Sequence, residues 1–157
     1  MLAGALPLGF DPNMRAWMAA AVVSIAASAV VPGRAADAPV VVAVTLTGEE
    51  HDAMTLEPRP GTVKAGRVTF QVRNAATTER HEMIVARVAN PKTPLPYDEA
   101  KKRVIESKLQ ALGEVSRILP GETKSLTLTL TAGKYLLLCN HAGHYKAGMV
   151  APLEVTN

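Results

Sequence analysis

The chain holds a single cysteine, Cys139, among its 157 residues. One thiol cannot close an internal disulfide, so it serves as an intermolecular bridge, a reactive thiol or a metal ligand. Aromatic residues make up only 4% of the chain, which argues against a surface that stacks on nucleic-acid bases. The formal net charge of +3 is small, and no arginine-rich or lysine-rich block supports a nucleic-acid partner.

The amino-terminal region contains an apolar run over residues 16–31, preceded by a positive residue and ended by a Pro-Gly pair. This order is typical of a secretory signal peptide, and the run is short for a membrane span, which needs about 20 apolar residues. We predict cleavage after Ala35 or Ala36. Residues 1–36 would then be a leader, and residues 37–157 would form one exported domain.

The leader has no twin-arginine pair, which favours export of the unfolded chain by the general secretory route. An uncleaved membrane anchor is the alternative, because the apolar run is of borderline length. In both cases the folded domain works outside the cytoplasm, and we expect it in the periplasm.

The exported part has the pattern of an all-β protein. Residues 66–74 alternate strictly, with Val68, Phe70 and Val72 on one side and polar residues on the other. Such alternation is typical of a strand with one buried face. Turns containing glycine or proline separate several such stretches, which indicates an antiparallel sandwich or barrel. Further strands are predicted over residues 40–47, 81–88, 125–131, 134–139 and 149–155.

One segment, residues 98–112, breaks this pattern. Its apolar residues from Val104 to Leu112 have the spacing of one helical face. Asp98 can cap the start of a helix and Gly113 can end it. We therefore predict one amphipathic helix, inserted between strands, that covers one end of the sandwich. A partner-binding helix is the alternative.

The stretch "CNHAGHYKAGM" over residues 139–149 places the lone cysteine among other metal-binding side chains. His144 follows Cys139 by five residues, and Met149 follows His144 by five. Cys139 ends one predicted strand and Met149 begins the next. These three side chains are therefore expected on one loop that joins two adjacent strands.

A third strong ligand must come from elsewhere in the chain. His81 opens a predicted strand, and a sandwich can bring that end beside the loop. One thiolate and two imidazoles, with a weak thioether along the axis, form the ligand set of a blue-copper electron-transfer site. Soft sulfur suits Cu(I) and imidazole suits Cu(II), so such a site strongly prefers neither oxidation state.

The segment from Asn74 to Glu82 and the stretch "YLLLCNHAGHYKAGM" resemble those of a cupredoxin. The resemblance is nearer to the rusticyanin and sulfocyanin group than to plastocyanin, and it extends from about Val40 to Val155. It implies a Greek-key β-sandwich, in this chain with the predicted helix inserted.

The same resemblance implies one type 1 copper per chain, bound by His81, Cys139, His144 and Met149. It also implies that the imidazole edge of His144 lies near the surface as the port for electrons. Three residues would surround this port and form the contact patch for a redox partner: Gly143, Tyr145 and Ala147.

Several positions leave alternatives open. Many cupredoxins carry asparagine directly after the first histidine ligand, where this chain has Glu82, which either bonds backbone amides of the copper loop or faces solvent. His141 is a rival ligand within the loop, although its two-residue step from Cys139 is short. Met83 is the rival to the axial methionine but is expected in the core. His51 lies in an acidic stretch that could form a weak second metal site.

The expected function is a single-electron shuttle that cycles between Cu(I) and Cu(II) and meets redox partners such as a cytochrome or a copper oxidoreductase. The alternative is a periplasmic copper chaperone or resistance protein without redox turnover. Catalysis is not expected, because the residues flanking Cys139 are Leu138 and Asn140 rather than histidines that would couple a second copper. The protein is expected to be a monomer.

Overall fold

The computed structural model describes residues 38–49 and 53–157; the predicted leader lies outside the described residues. The elements of the described part follow in chain order: β1 (Val40–Thr47), β2 (Thr55–Arg59), β3 (Thr62–Lys64), β4 (Gly66–Asn74), β5 (His81–Val88), β6 (Tyr97–Asp98), β7 (Arg103–Val104), a 3₁₀ turn (Glu106–Lys108), β8 (Gln110–Ile118), β9 (Thr123–Leu130), β10 (Gly133–Leu138) and β11 (Val150–Thr156). The predicted all-β class is therefore confirmed.

Two sheets pack against each other through a shared apolar core. One has four strands in the order β2-β1-β4-β9, and the other has five in the order β3-β11-β10-β5-β8. The expected sandwich is present, but it is not purely antiparallel, since β1 runs parallel to β4 and β3 runs parallel to β11. Strands β6 and β7 form a separate short hairpin.

Strand β4 shows how the sequence pattern places the core. Val68, Phe70 and Val72 are fully buried, while Arg67 and Gln71 on the opposite side are exposed. Because side chains alternate across a strand, one face enters the core and the other faces water. Strands β1, β4 and β5 begin and end at the predicted residues.

The prediction of a helix over residues 98–112 is wrong. That segment forms β6, β7, the 3₁₀ turn and the start of β8. The Asp98 carboxylate does accept bonds from two following backbone N–H groups, at Ala100 and Lys101, but these close a hairpin turn. The apolar stripe has no common buried face, since Val104 is buried and Leu112 is 40% exposed. Pairing of β8 with β5 therefore overrides the local helical spacing.

Strand pairing brings distant residues to one end of the sandwich. Strands β5 and β10 are antiparallel neighbours, with Ile84 opposite Leu138. The start of β5 therefore lies beside the end of β10, and the start of β11 pairs with the end of β10 on its other side. Among residues 38–49 and 53–157, we find no helix of the length and apolar character needed to cross a membrane.

Candidate metal centre

The loop between β10 and β11, residues 139–149, is here called the ligand loop. The Cys139 N–H donates to the Met149 carbonyl at 3.0 Å, which closes the base of the loop as a continuation of the strand pair. The Met149 N–H donates to the His144 carbonyl at 3.0 Å. Both ends of the loop are thus fixed by strands, whereas His144 lies in the middle of the loop, away from either strand.

Three side chains from two parts of the chain converge at this end. The Nδ1 atoms of His81 and His144 are 3.2 Å apart, and Cys139 Sγ is 3.5 Å from His144 Nδ1. One donor atom from each of the three residues lies within 4.8 Å of the others. The structure therefore brings His81 to the loop, as the sequence predicted.

These separations suit a shared metal ion. Two donors of one ion lie no farther apart than the sum of their bond lengths, about 4.1 Å for two imidazole nitrogens and about 4.4 Å for nitrogen and thiolate, with zinc distances as a guide. The 3.2 and 3.5 Å separations that involve His144 fall inside these limits. The thiol and imidazole donors also suit a soft or borderline ion such as copper.

A backbone carbonyl orients the His81 ring. The His81 Nε2–H donates to the Gly48 carbonyl at 3.3 Å, at the end of β1. This bond places the ring proton on Nε2 and leaves the Nδ1 lone pair facing the other two side chains. A hydrogen bond of this kind at the second ring nitrogen sets the tautomer of metal-binding histidines.

Burial keeps both imidazoles neutral in the metal-free chain. His81 is fully buried and His144 is 8% exposed. Burial lowers the pKa of His144 to about 4, and the neighbouring imidazoles of His81 and His141 add to this effect. Burial also lowers the pKa of His81, opposed by the hydrogen bond to Gly48. Both rings therefore offer a free nitrogen at neutral pH.

Burial has the opposite consequence for the thiol. Cys139 is fully buried, and burial raises its pKa to about 11, with the backbone N–H groups of His141 and Glu82 opposing the rise. Because desolvation disfavours the charged form, the thiol is protonated at neutral pH in the metal-free chain. A metal that binds here must displace that proton.

The remaining candidates are two methionines and two further histidines. Met149 is fully buried in the main core together with Cys139, and Met83 is a core residue, as expected. His141 lies outside the three-residue cluster; its Nε2 is 3.6 Å from a Glu82 carboxylate oxygen, and its ring centroid is 5.3 Å from that of His144. His51 lies outside the described residues.

The structure decides the role left open for Glu82. Its Oε1 accepts a hydrogen bond from the Asn140 N–H at 3.1 Å, so the side chain joins the start of β5 to the ligand loop. Burial raises the pKa of Glu82, while His141 and the Asn140 N–H oppose the rise. The carboxylate does not simply face solvent.

Sequence reasoning missed one residue of the loop, Asn140. Its side chain is 1% exposed, and it bonds both backbone groups of Val104 and the Glu106 carboxylate. Asparagine is usually a surface or turn residue, and nothing in the local sequence signals burial here. The contact is seen only in the structure, where the β6–β7 hairpin lies beside Asn140.

The structure is a β-sandwich with two histidines and one cysteine buried together at one end. This combination is typical of copper-binding proteins. The model of the plastocyanin/azurin family of copper-binding proteins matches residues 42–156. The chain therefore belongs to that family, the cupredoxins, and the resemblance stated from the sequence is confirmed. A search of curated protein sequences gave no significant match.

Solved structures with the same fold are distant in sequence. Reduced auracyanin from Roseiflexus castenholzii is 18% identical, with a TM-score of 0.52 over 73% of this chain and 97% of that one. An azurin from Methylomonas sp. strain J is 17% identical, with a TM-score of 0.52 over 76% and 100% of the two chains. Rusticyanin from Thiobacillus ferrooxidans is 19% identical, with a TM-score of 0.51 over 76% and 79%. At these identities the likeness shows the fold alone.

Proposed function

We propose that this protein is an exported electron carrier with one type 1 copper, which passes single electrons between redox partners. The observation that carries the proposal is the convergence of His81 Nδ1, Cys139 Sγ and His144 Nδ1 within 4.8 Å. Bound copper would supply the one-electron couple between Cu(I) and Cu(II). Two imidazoles and a thiolate suit both oxidation states.

The proposed fourth ligand is Met149. Its backbone is hydrogen-bonded to Cys139 and to His144, and its side chain is fully buried with Cys139 in the main core. A weak thioether in this position is typical of blue-copper sites and tunes their potential. Met83 lies in the same core, but it is on β5 rather than on the ligand loop and lacks these backbone bonds to Cys139 and His144.

Burial favours electron transfer over metal delivery. His81 and Cys139 are fully buried, and His144 is 8% exposed. A chaperone must open its site so that an acceptor can exchange ligands with the ion, whereas an electron needs only a short path to the surface. A rigid site fixed by two strands and a backbone carbonyl also limits the rearrangement that accompanies each electron.

The proposed port for electrons is the exposed edge of His144. Of the three residues expected around this port, Ala147 is exposed and Gly143 and Tyr145 are half-buried, and the neighbouring Ala142 is also exposed. These small exposed residues would leave room for a partner surface. The partner would be a redox protein such as a cytochrome or a copper oxidoreductase. This protein would meet its partners in the periplasm, and the leader over residues 1–36 would direct its export there.

The visible spectrum of the copper-loaded, oxidised protein tests the ligand set. We expect the intense visible band of a blue-copper site, from thiolate-to-copper charge transfer, and a reversible one-electron wave in voltammetry. His81→Ala, Cys139→Ala and His144→Ala should each abolish or strongly weaken the band. Copper transfer to an acceptor without a reversible wave would favour the chaperone alternative instead.

His141→Ala is the matched control. It removes the same type of side chain from the same loop, but His141 contacts Glu82 and lies outside the three-atom cluster. The band should survive this substitution. A His141→Ala protein without the band, beside a His81→Ala protein that keeps it, would refute the assignment.

Small redox reagents of opposite charge test the position of the port. Lys102 is exposed, and its carbonyl accepts a bond from the Gly143 N–H, next to His144. Lys102→Glu should therefore slow electron exchange with hexacyanoferrate and speed exchange with hexaammineruthenium. The control is Lys134→Glu, at the start of β10 and thus at the opposite end of the sandwich. Equal effects of the two substitutions would contradict a port at His144.

A further inference from the structure

The segment between β5 and β8 contacts the ligand loop along its length. We call residues 95–106, which contain the β6–β7 hairpin, the brace segment. The Gly143 N–H donates to the Lys102 carbonyl at 2.7 Å, and the Leu95 N–H donates to the Tyr145 hydroxyl oxygen at 3.2 Å. The brace segment therefore contacts the ligand loop at Gly143 and at Tyr145, the residues directly before and after His144.

Asn140 makes the most extensive of these contacts. Its Oδ1 accepts from the Val104 N–H at 2.7 Å, and its Nδ2 donates to the Val104 carbonyl at 3.0 Å. The second hydrogen of Nδ2 goes to the Glu106 carboxylate at 2.7 Å. The side-chain amide thus pairs with Val104 much as a neighbouring strand would. A buried amide that lost these partners would be left unsatisfied, which is costly.

Apolar packing supports the same junction. A second small core lies on the outer face of the five-stranded sheet and contains Ile84, Val104 and Leu138, all buried. Tyr97 of the brace segment and Tyr145 of the ligand loop pack against this core, with their ring centroids 6.0 Å apart. The junction therefore shields the two buried hydrogen bonds between Asn140 and Val104, whereas Glu106 is exposed.

These contacts act on the part of the site that the strands constrain least, which is His144. Cys139 and His81 adjoin or begin strands, whereas His144 lies in the middle of the ligand loop. We propose that the brace segment fixes the ligand loop in its metal-binding conformation before the metal arrives, and that Asn140 is the positioning residue of this contact. The proposal rests on the proposed function only for the identity of the metal.

Hydrogen exchange of the metal-free, full-length protein tests the proposal directly. Asn140→Ala should speed amide exchange in the ligand loop, above all at Gly143, by at least about tenfold, because it removes three hydrogen bonds and the net loss of even one is about 1 kcal/mol. Amides of β1 and β4 should keep their protection. Unchanged exchange in the loop would overturn the proposal, whatever the protein does with copper.

A pair of tyrosine substitutions separates an effect on the position of the ligand loop from an effect on general stability. The pair also tests the proposal if the Asn140→Ala protein does not fold. Tyr145→Phe removes the hydroxyl that accepts from Leu95. Tyr135→Phe removes an equivalent hydroxyl, which donates to the Thr131 carbonyl at 2.6 Å at the far end of the sandwich. Only Tyr145→Phe should speed exchange in the ligand loop. Equal exchange in the two proteins would overturn the proposal.

The copper-loaded proteins supply a second readout. The position and relative intensities of the charge-transfer bands report the geometry around the thiolate, and they should change in Asn140→Ala but not in Tyr135→Phe. Identical spectra for Asn140→Ala and the parent protein would count against a positioning role. If the parent protein shows no such band, the proposed function fails, while the exchange experiment still decides the role of the brace segment.

Discussion

Copper binding should release one proton per chain at about pH 7.5. A metal binds thiolate and neutral imidazole, so any proton on these groups must leave. Burial raises the pKa of Cys139 to about 11, whereas burial lowers the pKa of His144 to about 4 and that of His81 below its ordinary value. At neutral pH the thiol is therefore protonated and both rings are already neutral.

The magnitude follows from the same pKa. Near pH 7.5 the thiol lies about 3.5 units below its pKa, so its deprotonation costs about 5 kcal/mol of the binding free energy. The association constant should rise about tenfold for each pH unit between about 7 and 10 and level off above about 11. Toward pH 4, protonation of His144 should steepen the dependence, because a second proton must then be displaced.

Two measurements check this prediction. Anaerobic competition for Cu(I) against a chromophoric chelator gives the slope with pH, and calorimetry in buffers of different ionisation enthalpy counts the protons directly. Cys139→Ser is the control, since its hydroxyl carries no comparable titration. Release of two protons would mean that an imidazole is charged in the metal-free chain, and release of none would mean that the thiol is already ionised. Either result would refute the reasoning from burial.

Three further predictions concern stability and tuning. The folded pKa of His144, about 4, lies below its unfolded value, so this ring alone should lower the free energy of unfolding of the metal-free protein by up to about 3 kcal/mol as the pH falls from about 6.5 toward 4. The lowered pKa of His81 should add to that loss, and urea unfolding at a series of pH values measures the sum. Gly148→Ala should cost about 3 kcal/mol, because φ is +109° and a Cβ would approach the Met54 carbonyl oxygen to 2.7 Å; Gly143→Ala, at φ +89° in open space, should cost only about 1 kcal/mol. Met149→Leu conserves volume and should keep the charge-transfer band while shifting the reduction potential; loss of the band would contradict an axial role.

The regular strands could be predicted because their evidence is local. Strand β4 alternates between apolar and polar residues, and its apolar side is the buried side. Strand β2 was missed because it is short, lies at the edge of its sheet and contains Pro58. Proline usually counts against a strand, and an edge position is where a sheet tolerates it.

Part of the site could likewise be predicted from local sequence, and part could not. The spacing of Cys139, His144 and Met149 is visible in eleven consecutive residues, so the loop could be identified without a structure. The approach of His81 depends on the register between β5 and β10, in which Ile84 lies opposite Leu138. No local pattern contains that register, and the family resemblance supplied the assignment in its place.

The error at residues 98–112 and the role of Asn140 have one physical origin. The spacing and the capping residue of that segment favour a helix, yet the segment forms a hairpin whose backbone pairs with the ligand loop at Lys102 and Val104. A local preference of this kind is overridden only when tertiary contacts outweigh it. At the end of the segment the overriding contact is the pairing of β8 with β5; at the hairpin it is the contact with the ligand loop, which exists only while that loop is in place. The two segments should therefore order together, and a substitution at either Asn140 or Val104 should loosen both.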